Sequence, residues 1–130
     1  MPNSSSIVCA DERKLDLRNT TSIGNQAESS TADYLTKLGY EIIDRNFKSK
    51  TCEIDIVARK NKTIYFVEVK YRSRSDFGDG IEYINTSKLN RMKHACEYWC
   101  HKNGWNGDIL LAAASVGLPN YEIKRFEIVD

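Results

Sequence analysis

The stretch from residue 52 to residue 74, CEIDIVARKNKTIYFVEVKYRSR, constrains the fold of this chain more than any other. It parses as two strands joined by a tight, basic turn. In the first run, Cys52 to Arg59, side chains must alternate between faces. Ile54, Ile56 and Ala58 are expected on one face, and Glu53, Asp55 and Val57 on the other. The second run, Thr63 to Tyr71, is rich in β-branched and aromatic residues, and Asn61 between two lysines supplies the turn. Glu68 and Lys70 stand two apart and share a face. Paired strands lie about 5 Å apart, so Asp55 can meet both across the ladder. Two carboxylates and an ammonium then converge inside an apolar hairpin.

The plain reading of a lone Glu-x-Lys on a strand is a solvated, salt-bridged face. Phe66, Val67 and Val69 crowd the same strand, however, and a strand apolar on both sides is usually buried on both. Charges in such a strand are costly unless paired or bound to a metal. Carboxylates and a cation in a buried cleft are therefore candidates for function.

At 130 residues there is room for one domain with a modest core. Residues 1–22 are rich in Asn, Ser and Thr with no apolar period, and are expected to form a flexible polar tail. A domain over residues 23–130 should follow. From about Ile23 to Leu38, Ala27, Thr31, Tyr34 or Leu35, and Leu38 recur at helical spacing, and Gly39 stands where a C-cap belongs. Glu28 sits on that apolar stripe, where a carboxylate is unusual; first-turn placement toward the helix dipole is the competing account.

Tyr40 to Phe47 reads as a strand before the hairpin. Ser73 to Asn85, with Phe77, Gly78, Asp79 and Gly80, reads as a loop that clamps substrate or merely connects. Asn85 to His101 reads as a second helix, capped by Thr86 or Ser87, with Leu89, Met92, Cys96 and Trp99 toward the core. Strands Asp108–Val116 and Tyr121–Val129 complete the order helix, three strands, helix, two strands. That order predicts an α/β domain with a mixed sheet flanked by helices.

The four cysteines offer no second pair at zinc spacing, so free thiols are expected. MPNSSSIVCADERK lacks the apolar core of a signal peptide, and no apolar run is long enough to cross a bilayer. A cytoplasmic protein with no membrane partner is the expectation; a homodimer is left open.

Asp55 followed by Glu68-Val69-Lys70 resembles the Asp…(Glu)-x-Lys signature of the restriction-endonuclease-like, or PD-(D/E)XK, nuclease superfamily. The longer strings AESSTADYLTKLGYEIIDRNF and CEIDIVARKNKTIYFVEVKYRS, with the later lysine-bearing helix, are similar to the bacterial YraN family, assigned to that superfamily by its fold. The likeness covers roughly Gly24 to Val129. It implies a restriction-endonuclease-like domain and a Mg²⁺- (or Mn²⁺-) dependent nuclease acting on nucleic acid, most simply DNA. Asp55 and Glu68 would be metal ligands, helped by the Val69 carbonyl. Lys70 would orient or deprotonate water, and Glu28 would be an outer catalytic carboxylate. Ala27 stands where the family has the glycine of its Gly-Glu motif, and Asn106-Gly107 replaces its Arg-Phe.

Net charge is only +1, but residues 45–74 hold nine basic and three acidic residues. A basic rim around an acidic centre suits a phosphodiester and a divalent ion together. Lys48, Arg72 and Arg74, with Lys88 by resemblance, are the expected nucleic-acid contacts. Two other readings stay open: a catalytically silent nucleic-acid-binding module on the same fold, and an interaction protein whose central charges are a structural ion-pair cluster.

Overall fold

The alternating and helical patterns resolve into a five-stranded sheet with a helix against each face. The computed structural model describes residues 16–73 and 85–130, with side chains from residue 22 onward. The elements are α1 (Asp16–Lys37), β1 (Glu41–Lys48), β2 (Glu53–Lys60), β3 (Thr63–Arg72), α2 (Thr86–Asn103), β4 (Asp108–Gly117) and β5 (Glu122–Ile128). Their order and the mixed sheet are those expected. The sheet runs β1-β2-β3-β4-β5, antiparallel throughout except for the parallel pair β3–β4, which α2 connects. Among the described residues, no helix is long and apolar enough to cross a membrane.

Each face has its own core. On the α1 side, Ala27 and Leu35 pack with Ile56, Ala58, Val67, Val69, Ala112, Ala114 and Val116. On the α2 side, Met92, Ala95, Cys96 and Trp99 pack with Phe47, Ile54, Val57, Ile64, Phe66 and Leu111. Because β3 and β4 are covered on both faces, they read as near-continuous apolar runs. Phe66 is fully buried and meets Trp99 edge to face at 5.6 Å. Phe66→Ala should therefore cost about 3–5 kcal/mol of unfolding free energy, read from a urea melt. A cost under about 1 kcal/mol would mean that α2 is not seated on this face.

Several boundaries differ from the expectation. Helix α1 begins at Asp16, so residues 16–22, assigned above to the tail, are helical. Once a packed segment has nucleated a helix, adding residues at its end costs little. Leu38 is exposed, because the chain leaves the helix at Gly39 in a left-handed conformation. There Tyr40 N–H donates to the Leu35 carbonyl and satisfies one of the last helical acceptors. Asn85, rather than Thr86 or Ser87, caps α2, its Oδ1 accepting from Lys88 N–H at 2.8 Å. The loop around Phe77–Gly80 lies outside the described residues.

The expected grouping of Ile54 with Ile56 and Ala58 is corrected: Ile54 packs on the α2 side, the other two on the α1 side. The break in alternation falls at Asp55, opposite Asn46 of β1, a non-glycine residue in the left-handed region with φ 55.

Candidate functional site

The hairpin does not stay paired along its length. Its ladder runs from Lys60↔Thr63 to Ile56↔Val67. Beyond that, β2 keeps β1 as far as Lys48↔Glu53, and β3 keeps β4 as far as Arg72↔Gly117. The sheet thus splits where Asp55 and Glu68 stand. Asp55 Oδ2 bridges the split by accepting from the Val69 N–H at 2.8 Å, a backbone donor that the lost ladder would otherwise leave open.

Glu68 follows Ile64 and Phe66 on its strand by steps of two, and so emerges at the α2 side of the sheet. Its side chain is only 6% exposed. Two cations meet Glu68 Oε2: Lys88 Nζ from the first turn of α2 at 3.5 Å, and Lys70 Nζ from β3 at 3.9 Å. From the opposite helix comes Glu28, its side chain 13% exposed, with Oε1 3.7 Å from Arg45 Nη2. That separation is an ion pair but too long for a hydrogen bond. Glu28 Oε1 is correspondingly buried without a hydrogen-bond partner.

The electrostatics follow from burial and repulsion. Burial, then the neighbouring Glu68 charge, pushes the Asp55 carboxyl up to about 8, against the pull of the Val69 amide. Burial raises Glu68 as well, although Lys88 and Lys70 pull the other way. Glu28 is raised by burial and by Glu53, with Arg45 and Asn46 opposing. Four carboxylates therefore influence one another around the split, and burial outweighs the cations at hand.

The sequence-predicted residues fall into two groups. Asp55, Glu68, Lys70 and Lys88 come together, with Glu28 reaching toward them from α1. Lys48 stands opposite Glu53 at the end of β1, and Arg72 closes β3, its carbonyl accepting from Leu118 N–H. Arg74 lies outside the described residues. Sequence reasoning missed the part played by Arg45 and Asn46, which stand beside Glu28 and pull its carboxyl down against burial. An asparagine inside a strand-like run was the available signal, since Asn tolerates the left-handed conformation it adopts here.

The oxygens here are the hard donors that magnesium or manganese prefers. Among the described residues, no three His, Cys, Asp or Glu side chains cluster closely enough to enclose a metal by themselves. A carboxylate pair is nevertheless enough for a magnesium ion that keeps several waters. The Glu28 oxygen without a hydrogen-bond partner and the crowded Asp55–Glu68 pair are donors of the kind a divalent cation would take. Cys52, Cys96 and Cys100 are free thiols, and Cys96 is buried in the α2-side core.

Fold and site together define a mixed α/β domain whose split sheet holds a buried carboxylate pair flanked by two lysines. The chain belongs to the family described as Uncharacterised protein family UPF0102, whose model matches residues 27–130. A UPF0102 protein of Vibrio vulnificus is 43% identical over 84 residues, covering 65% of this chain and 69% of the relative. One of Colwellia psychrerythraea is 42% identical over 95 residues, 72% of this chain and 74% of the relative. Another, of Fusobacterium nucleatum, is 42% identical over 81 residues, 62% and 68% respectively.

Proposed function

We propose that this protein is a divalent-metal-dependent nuclease of the restriction-endonuclease-like class, hydrolysing phosphodiester bonds in nucleic acid, most simply DNA. The observation that carries the reading is the Asp55–Glu68 pair: two carboxylates held at a break in the sheet, both raised, with Lys70 and Lys88 at Glu68. Asp55, Glu68 and the Val69 backbone carbonyl would hold magnesium or manganese. Such an ion supplies charge neutralisation at the phosphate and acidifies water.

The rest is done by the chain itself. Lys70 projects from β3 beside Glu68, more exposed than Lys88, and orients a water or takes part in its deprotonation. Lys88, paired with Glu68 and 24% exposed, keeps that carboxylate in place and presents positive charge to a phosphate. Glu28, lacking a hydrogen-bond partner at Oε1, is available to hold a water. Lys48, Arg72 and Arg74 supply further phosphate contacts along β1 and beyond β3. Incubating the protein with duplex, branched and single-stranded DNA, with magnesium or manganese and beside Asp55→Ala, tests the reading. Cleavage by the wild type alone supports it; no cleavage of any form rejects it.

A catalytically silent nucleic-acid-binding module on the same fold is the second reading, favoured by the lack of a three-ligand cage among the described residues. Both readings require phosphate contacts. DNA affinity without metal should fall with salt at a log–log slope near about −0.9 per phosphate neutralised on duplex. Replacing Lys48, Arg72 and Arg74 together with alanine should flatten that slope. Salt-independent binding would reject both.

A further inference from the structure

A second feature lies on the α2 side of the sheet. An open groove of about 600 Å³ runs between the β1–β2 connection and α2, lined by Lys48, Ser49, Lys50, Thr51, His94 and Tyr98. Among the described residues its walls hold two lysines and no carboxylate. Its floor is pinned: Ser49 Oγ donates to the Cys52 carbonyl at 3.0 Å, and Thr51 Oγ1 to the Arg91 carbonyl at 3.2 Å, tying the connection to α2. Tyr98 is 49% exposed, yet its ring rests on buried Phe47 at 5.8 Å and so has a supported inner face. Lys102 approaches the same ring, its Nζ 6.0 Å from the centroid.

The groove is joined to the carboxylate site along one helix face. Lys88, Arg91, His94 and Tyr98 recur at intervals of three and four, the spacing that aligns side chains on a helix. Lys88 opens that row beside Glu68. Tyr98 lies about 15 Å further along the axis, a span of a few nucleotides. A basic track with an exposed, supported aromatic ring suits an unpaired strand: lysines follow phosphates while the ring stacks on a base. A duplex hides its base faces within the stack and would leave Tyr98 without a partner.

We infer that this groove binds a single-stranded segment of nucleic acid beside the phosphate presented to Asp55 and Glu68, one base stacking on Tyr98 and the backbone running over Lys48 and Lys50. The inference rests on the nucleic-acid reading above, and narrows its substrate to one with unpaired nucleotides next to the scissile bond.

The test is binding of the full chain, without divalent metal, to a fluorescent oligothymidine strand and to a duplex of equal length. Tyr98→Ala should weaken single-strand binding by about tenfold or more, while Tyr98→Phe stays within about twofold. Lys48→Ala/Lys50→Ala should weaken it too and reduce the salt slope. Since Tyr98 is half exposed, unchanged melting of Tyr98→Ala serves as the folding control. Single-strand binding by Tyr98→Ala equal to wild type overturns the inference, even where DNA cleavage is seen. An effect of Tyr98→Ala confined to oligomeric state overturns it as well, making the groove a contact between copies. Tyr98-dependent binding with no cleavage of any DNA form leaves the inference standing and removes only the nuclease reading.

Discussion

Asp55→Asn should abolish metal-dependent cleavage and, in metal-free buffer, raise the melting temperature increasingly as pH rises. The asparagine keeps an oxygen that can accept from the Val69 amide, so the bridge across the split is preserved. What it removes is the charge. In the folded protein the Asp55 carboxyl titrates at about 8, far above an unfolded aspartate, because burial and Glu68 disfavour its ionised form. A group raised on folding binds more protons in the native state. Its contribution is fully present below the unfolded value, near pH 4, and is lost as pH climbs toward 8. The wild type without metal should therefore lose stability between about pH 4 and pH 8, on the order of a few kcal/mol, Glu68 and Glu28 adding in the same direction. Asp55→Asn should flatten that fall.

Magnesium should raise the wild-type melting temperature most at the alkaline end, where both carboxylates are charged, and should stabilise Asp55→Asn little. Metal-free DNA binding should persist or tighten, since a negative charge facing phosphate is gone. Cleavage surviving in Asp55→Asn would remove this residue from the metal site. Identical melting of the two proteins from pH 5 to pH 9 would contradict the buried, repelling pair.

Lys70→Ala should lower turnover by about 10²–10⁴, the usual range for an acid–base group, while leaving magnesium-induced stabilisation in place. Breaking a buried ion pair is costly, but Lys70 is not the closer partner of Glu68. Lys70 is 43% exposed and stands 3.9 Å from Glu68 Oε2, whereas Lys88 is 24% exposed and stands at 3.5 Å. Removing Lys70 leaves Glu68 with its closer cation, so the stability change should stay within about 1 kcal/mol. Lys88→Ala strips that closer partner from a nearly buried carboxylate and should destabilise the fold more than Lys70→Ala does. Single-turnover cleavage and thermal melts of the two variants, with and without magnesium, separate the roles. A large, metal-independent loss of stability in Lys70→Ala, with unchanged turnover, would leave Lys70 a structural counter-ion and no more.

The sequence alone determined the elements and their order along the chain. The order of elements, the mixed sheet and the core stripe of α2 all follow from short-range periodicity, which depends only on how side chains project from a helix or strand. That Asp55 comes close to Glu68 was legible for the same reason, since a tight turn at Asn61 sets the register of a hairpin within a residue or two.

Only the tertiary structure decided three further things. It divided Ile54 from Ile56 and Ala58, placing them in opposite cores although they stand two and four apart on one strand. It ended the β2–β3 ladder at Ile56↔Val67, which turns a plain hairpin into a split that an aspartate must bridge. It also brought Glu28, Lys88 and Tyr98 to their places, through helices packed on opposite faces of the sheet. None of these is written in local spacing, for each depends on contacts between segments far apart in the chain, whose energies are decided only when both cores close.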